Sequence, residues 1–178
     1  MRKGAAAAGS AVFFVVAPGT VAGLVPWLLT GWAAGGPWWV PVRVVGWVLL
    51  VVSAAVLLHS FARFAAQGLG TPAPIAPTGH LVVTGAYRHV RNPMYVAVFA
   101  VILAQGLVLA RPVLLGYGLL AWAVMAAFAR GYEEPALREQ FGQEYEDYRR
   151  AVRGWLPRLV PYRTGHADRR GQPPFQSR

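Results

Sequence analysis

Apolar residues run in four long stretches, and polar residues gather between and after them. Residues 11–34 (AVFFVVAPGTVAGLVPWLLTGWAA) carry no charge, and residues 38–62 carry only Arg43, near one end. Residues 93–110 (PMYVAVFAVILAQGLVLA) and 113–130 (VLLGYGLLAWAVMAAFAR) follow. A helix needs about 20 apolar residues to cross the hydrocarbon core, so each stretch predicts a membrane span. Pro18, Gly19 and Pro26 predict kinks, which membrane helices tolerate. Only Arg111-Pro112 separates the last two stretches, so they should pack as an antiparallel hairpin. Residues 66–83 are rich in Pro and Gly and predict extended or turned chain. Residues 133–152 predict an amphipathic helix, with Leu137, Phe141, Tyr145 and Tyr148 along one side. Glu134/Arg138 and Glu146/Arg150 have the i,i+4 spacing of helical ion pairs. Pro157, Pro161 and the polar end 164–178 predict a frayed tail. The chain shows no internal repeat and reads as one domain, 1–178. Its expected class is an all-α integral membrane protein with about four spans and a cytoplasmic amphipathic C-terminal helix.

Composition and charge sharpen this picture. Of the 178 residues, 56% are hydrophobic and 13% charged, a poor balance for a water-soluble domain. A net charge of +10 raises the question of nucleic acid, but the basic residues flank apolar runs and form no stripe on a polar domain. Positive charge instead orients a bundle, because Lys and Arg concentrate on the cytoplasmic side. With both termini inside, Arg2, Lys3, Arg63, Arg88, Arg91 and every Arg from Arg130 onward lie inside. Arg43 and Arg111 then lie near the outer face, as do Trp27, Trp32, Trp38 and Trp39. The MRK opening followed by an apolar run could be a signal peptide. The run is too long for one, and cleavage would leave an odd number of spans. The absence of cysteine excludes disulfides, thiolate catalysis and Cys-ligated zinc. Arg far outnumbers Lys, as codon bias in a GC-rich genome produces, and this points to a bacterial inner membrane.

The candidate chemistry sits at the start of the third span, in TGAYRHVRNPMYVAV (84–98). Asn92-Pro93 is a helix start: Asn caps, and Pro suits the first turn because it has no N–H to satisfy. First-turn N–H groups, Arg88 and Arg91 all favour an anion. The fourth span ends at the same face with Arg130, Tyr132, Glu133 and Glu134. The hairpin therefore brings a basic, aromatic cluster to an acidic one. A ligand with an anionic group and a diol or cation would suit that place.

These residues resemble the isoprenylcysteine carboxyl methyltransferase family, and more broadly the membrane methyltransferases that include phospholipid N-methyltransferases. The resemblance covers roughly residues 79–157. It runs through Gly79, His80, Leu81 and Val82, then Gly85-x-Tyr87 and Arg91-Asn92-Pro93-x-Tyr95. After the hairpin come Glu133-Glu134-x-x-Leu137, Phe141-Gly142-x-x-Tyr145-x-x-Tyr148, Val152 and Pro157. The resemblance implies S-adenosylmethionine (SAM) bound between the membrane helices and the C-terminal helix. His80, Leu81, Val82, Val83 and Tyr87 would border it. Arg91, Asn92, Pro93, Met94 and Tyr95 would form a wall, and Glu133 would bind the ribose hydroxyls beside Glu134. Tyr95 and Arg130 would serve catalysis, Arg130 being the nearest match to a substrate-binding arginine, one residue out of register. Many members have Arg-His-Pro where this chain has Arg91-Asn92-Pro93, which removes a titratable ring. Either Gly79 or His80 takes the family's His position. No metal is implied.

Simpler readings stand beside this one. Arg88 and Arg91 alone are charge anchors, Glu133 and Glu134 alone are first-turn residues of a helix, and the aromatic spacing in 141–148 is first a packing face. His59 reads as a packing or interfacial residue, His166 carries no assignment, and Gln105 predicts a hydrogen bond across helices. A methyltransferase would take a lipophilic carboxyl, amine or thiol acceptor from the bilayer. The competing readings are an NADPH-dependent membrane reductase, which would want an extra Arg cluster without carboxylates, and a non-catalytic membrane adaptor.

Overall fold

The computed structural model describes residues 16–37, 40–67 and 81–162. Expectations for the MRK opening, Trp38, Trp39, most of the Pro/Gly-rich loop with Gly79 and His80, and the tail with His166 lie outside the described residues. Helix α1 runs Val16–Thr30, α2 Val40–Gln67, α3 Pro93–Leu109, α4 Pro112–Phe128 and α5 Glu134–Ala151. A short 3-10 turn, Gly85–Arg88, precedes α3, and a π turn, Ala129–Glu133, joins α4 to α5. No strand occurs among the described residues.

Helix α3 is the hub, packing on α2, on α4 and on the Thr20–Leu24 stretch in the middle of α1. Leu57 and Phe61 of α2, Ala97, Val98 and Ile102 of α3, and Ala121 of α4 form the core. The α3–α4 turn is tight: Ala110 takes the left-handed conformation that ends α3, Arg111 is extended, and Pro112 opens α4. At the same end, Arg43 donates to the Gly36 carbonyl and Arg111 to the Ala33 carbonyl, both at 3.0 Å. The two arginines that the charge pattern sets apart thus clamp one loop at one end of the bundle.

Pro26 explains the shape of α1. It cannot donate a backbone N–H, so the carbonyls one turn earlier lose their helical partner. The expected kink takes the form of a π turn, Thr20–Leu24. The freed carbonyls are satisfied from other helices. Gln105 donates to Ala22 at 2.7 Å and Tyr117 to Val21 at 2.8 Å. Gln105 also accepts the Trp32 indole N–H at 3.2 Å, so it bonds across helices as expected.

Helix α2 and the continuous helix from Pro112 onward are long and apolar enough to cross a membrane, while α1 and α3 are shorter apolar helices. Val44, Val48, Val51 and Leu58 on α2, and Leu119, Leu120 and Val124 on α4, are all exposed. An apolar surface this extensive marks contact with something other than water, and it associates the chain with a membrane.

Helix α5 differs from the straight helix expected over 133–152. Gly142 adopts φ 51°, ψ −123° and bends the helix in the middle. In a straight helix, residues 138 and 146 lie about 12 Å apart along the axis, and 134 and 149 about 22 Å. Here Arg138 Nε meets Glu146 Oε1 at 2.7 Å and Arg149 Nε meets Glu134 Oε2 at 3.4 Å. The expected Glu134/Arg138 and Glu146/Arg150 pairs are therefore replaced by pairs that close the bend, and Arg150 turns to Asp147. The bend also gathers Leu137 and Phe141 with buried Tyr145, Tyr148 and Val152, against Leu81, Val83 and Tyr162. No side chain tolerates the Gly142 conformation without strain of about 1–3 kcal/mol. Gly142→Ala should lower the thermal midpoint in detergent, and an unchanged midpoint would mean that α5 does not need the bend.

Candidate functional site

Two short segments interlock at the start of α3. Arg91 N–H donates to the Arg153 carbonyl at 2.9 Å and Asn92 N–H to the Gly154 carbonyl at 3.2 Å. In return, Arg158 N–H donates to the His89 carbonyl and Tyr162 N–H to the Arg88 carbonyl, both at 2.9 Å. Side chains add to this: Arg88 Nε donates to the Tyr162 carbonyl at 2.7 Å, and Tyr148 OH donates to the Tyr87 carbonyl at 2.6 Å. Residues 153–162 are thus docked, not frayed as Pro157 and Pro161 suggested. The two prolines keep this stretch from continuing α5, and its backbone groups pair with 88–92 instead. Asn92 occupies the position before α3 with Pro93 first in the helix, as expected, but its side chain makes no capping bond. It lies against Gly154, where an added Cβ would also sit 3.2 Å from Arg91 Nη2.

The antiparallel hairpin brings the start of α3 beside the end of α4. The π turn at 129–133 widens the helix by one residue per turn and aims Glu133 at α3. Tyr95 OH donates to Glu133 Oε1 at 2.6 Å. Trp155 stacks on the Tyr95 ring, with centroids 6.3 Å apart and planes 18° apart. Trp122 meets Trp155 edge-on at 5.8 Å. A carboxylate therefore sits among aromatic rings at the end of an apolar hairpin. Beside it, Arg91 Nη1 bridges Glu134 Oε1 at 3.2 Å and Tyr145 OH at 3.1 Å. Arg91 Nε is buried without a hydrogen-bond partner.

Burial raises the Glu133 carboxyl above its ordinary value of 4.5; the Tyr95 hydrogen bond opposes this and the Glu134 charge adds to it. Burial also raises Tyr87, with Tyr148 and Glu133 nearby adding. Burial likewise raises Tyr148 and Tyr145, so the hydroxyls of Tyr87, Tyr145 and Tyr148 around this region are kept protonated. The Glu133 shift has a stability consequence. Between 4.5 and its raised value the folded state holds the proton more tightly than the unfolded chain, so stability falls as pH rises through that window. Thermal unfolding of the wild type beside Glu133→Gln should show the variant gaining on the wild type as pH rises from 4.5. A constant difference between them would place Glu133 in water.

The structure brings Tyr87, Arg91, Tyr95, Glu133 and Glu134 into one neighbourhood. Leu81 and Val83 back it through the Tyr145–Tyr148 cluster, Val82 is half-buried between them, and Pro93 is fully buried. Met94 packs instead on the Leu57–Phe61 core. Arg130 is exposed on the π turn, and His80 lies outside the described residues. His59 lies against Gly85, with Nε2 3.2 Å from where a Cβ would stand. Sequence reasoning missed Trp155. Its signal was a lone indole in an otherwise basic stretch just past an amphipathic helix.

A cleft of about 310 Å³ at the other end of the bundle is lined by Trp32, Trp47, Leu50 and Gln105, among others. Gln105 stands ten residues beyond Tyr95, about 15 Å along α3, so this cleft is separate from the Glu133 region.

The chain matches the model of the phospholipid methyltransferase family over residues 42–144, more than half its length. It is 30% identical over 78 residues to the protein-S-isoprenylcysteine O-methyltransferase of Dictyostelium discoideum. That alignment takes in 43% of this chain and 32% of the relative, so the chain spans about a third of the curated relative it matches.

Proposed function

We propose that this chain, which belongs to the phospholipid methyltransferase family, transfers a methyl group from SAM to a lipophilic acceptor at the cytoplasmic membrane boundary. The single observation that carries the reading is the Tyr95–Glu133 hydrogen bond beneath the Trp155 ring. It joins a carboxylate to aromatic faces in one half-buried place. A carboxylate fits a ribose diol, and aromatic faces fit a cationic sulfonium. The unpartnered Arg91 Nε fits the carboxylate of an amino-acid moiety. The residues present therefore suit SAM. In this reading the chain is one domain with four spans, α1 to α4, and both termini are cytoplasmic. The acidic and basic clusters at the start of α3 and the end of α4 then face the cytoplasm of a bacterial inner membrane.

When bound, SAM supplies a methyl on a sulfonium, a leaving group good enough for catalysis by positioning and charge stabilisation. Glu133 would hold the ribose with the oxygen that Tyr95 does not occupy. The stacked Tyr95 and Trp155 rings would offer an aromatic face to the positive charge. Leu81, Val83 and Tyr87 would close the cytoplasmic side and exclude water, with Val82, Asn92 and Pro93 completing the wall. Arg130, exposed at the same end, meets a negatively charged part of the acceptor. A carboxyl acceptor needs no base at neutral pH. An amine must shed a proton, and that acceptor would need a base other than Glu133, whose oxygens are taken by Tyr95 and the ribose. The acceptor itself arrives sideways from the bilayer, along the apolar faces of α2 and α4.

Calorimetry of SAM against the purified protein in detergent tests this reading. Saturable one-site binding is the expected result. Binding of NADPH with none of SAM would replace it with a membrane reductase.

A further inference from the structure

The segment 153–162 presents an apolar surface that the site does not use. Leu159 is 97% exposed, Val160 67% and Leu156 64%. These are among the most exposed large apolar side chains described, yet the backbone that bears them is firmly held. It is tied to Arg91 at Arg153, to His89 at Arg158 and to Arg88 at Tyr162. Pro157 and Pro161 further stiffen it. A rigid loop that holds three aliphatic side chains outward is not a collapsed packing failure.

The place of the loop and its charge indicate what covers it. Its anchors, residues 88–91, stand directly before Pro93, where α3 opens its apolar run. The loop is therefore fixed within a few residues of the level at which the chain enters the apolar layer. From Tyr148 to Tyr162 the sequence has no acidic residue; Arg149 and Arg150 are paired with Glu134, Glu146 and Asp147, which leaves Arg153 and Arg158 as the basic charges beside the loop. Apolar tips with a basic rim are the composition of a segment lying in the interface of an anionic membrane. A protein partner would need acidic groups arranged around an aliphatic knob. A lipid leaflet supplies both features at the level where the loop already stands.

We infer that residues 156–160 form an interfacial loop, with Leu156, Leu159 and Val160 immersed among acyl chains and Arg153 at anionic headgroups. The inference rests on the membrane-spanning reading above. Its consequence for the site is direct. Trp155, the ring stacked on Tyr95, adjoins the loop, so the lipid surface holds this aromatic wall in place.

The chain has no cysteine, so single spin labels can be placed cleanly. Leu159→Cys, Val51→Cys on the exposed face of α2 and Glu144→Cys on the exposed side of α5 would be labelled and reconstituted in phosphatidylethanolamine vesicles containing phosphatidylglycerol. Power saturation with oxygen and with a water-soluble nickel chelate then reads immersion. The label at 159 should favour oxygen over nickel several-fold more than the label at 144, and resemble the label at 51. Nickel access at 159 equal to that at 144 would overturn the loop assignment while a lipid-like label at 51 left the spans intact. Shielding of 159 from both reagents would also overturn it, in favour of a protein contact. Nickel access at 51 would overturn the spanning reading and the loop with it.

Discussion

Glu133→Gln lowers the affinity for SAM by roughly 10- to 100-fold, the loss expected when a charged hydrogen-bonding partner worth about 1.5–3 kcal/mol is removed. The amide keeps the shape of the carboxylate but cannot accept from Tyr95 and from two ribose hydroxyls at once. Tyr95→Phe keeps the ring that stacks on Trp155 and removes only the hydroxyl that donates to Glu133 at 2.6 Å. Its loss is smaller, about tenfold or less, the scale of one net hydrogen bond. Because the two side chains touch, their effects do not add. With Glu133 already Gln, removing the Tyr95 hydroxyl costs less than it does alone. Trp155→Ala weakens binding through the lost ring face while leaving the pH dependence set by Glu133. Calorimetry on variants whose thermal unfolding remains cooperative gives all four affinities. Wild-type affinity in Glu133→Gln would falsify the assignment of Glu133 to the cofactor.

Much of the architecture obeys local rules and so was legible in the chain. Arg111-Pro112 stops one apolar helix and starts the next, and α3 does end at Leu109 with α4 beginning at Pro112. Pro93 opens α3 because it alone gives up no hydrogen bond there. Gln105 sought partners across helices because an apolar layer offers none. What escaped notice depends on contacts between distant segments. Gly142 stood in plain view, but a glycine inside a helical pattern does not declare a positive φ. The bend follows from packing Phe141 on Tyr145 and Tyr148, and from ion pairs spanning eight and fifteen positions. The π turn at 129–133 ends on Glu133, whose partner Tyr95 lies 38 residues earlier. Trp155 reaches Tyr95 only because residues 153 and 154 pair with the backbone of 91 and 92. Prolines at 157 and 161 announce an end to helix, and they say nothing of where the extended chain then docks.

Arg91→Ala costs about 3 kcal/mol of stability, the scale for removing one partner of a largely buried ion pair. The Arg91 and Glu134 side chains are each only 14% exposed. Arg91 joins three elements: its side chain holds Glu134 at the head of α5 and Tyr145 beyond the Gly142 bend, and its backbone holds Arg153. Truncation leaves the Glu134 carboxylate with Arg149, more distant at 3.4 Å and more exposed at 38%. Arg91→Lys recovers little, since one ammonium cannot reproduce a planar fork that reaches Glu134 and Tyr145 and also sits close beside Gly154. Arg91→Met with Glu134→Leu loses less than the two single changes together, because neither charge is then left without its partner. Thermal unfolding of the four proteins in one detergent measures this coupling. A cost under about 0.5 kcal/mol for Arg91→Ala, the range of an exposed pair, would mean that water reaches the junction of α3 and α5. The positive charges before α3 would then be surface anchors and nothing more. The larger cost makes Arg91 the strut that holds the bent helix, and with it Glu133, against the start of α3.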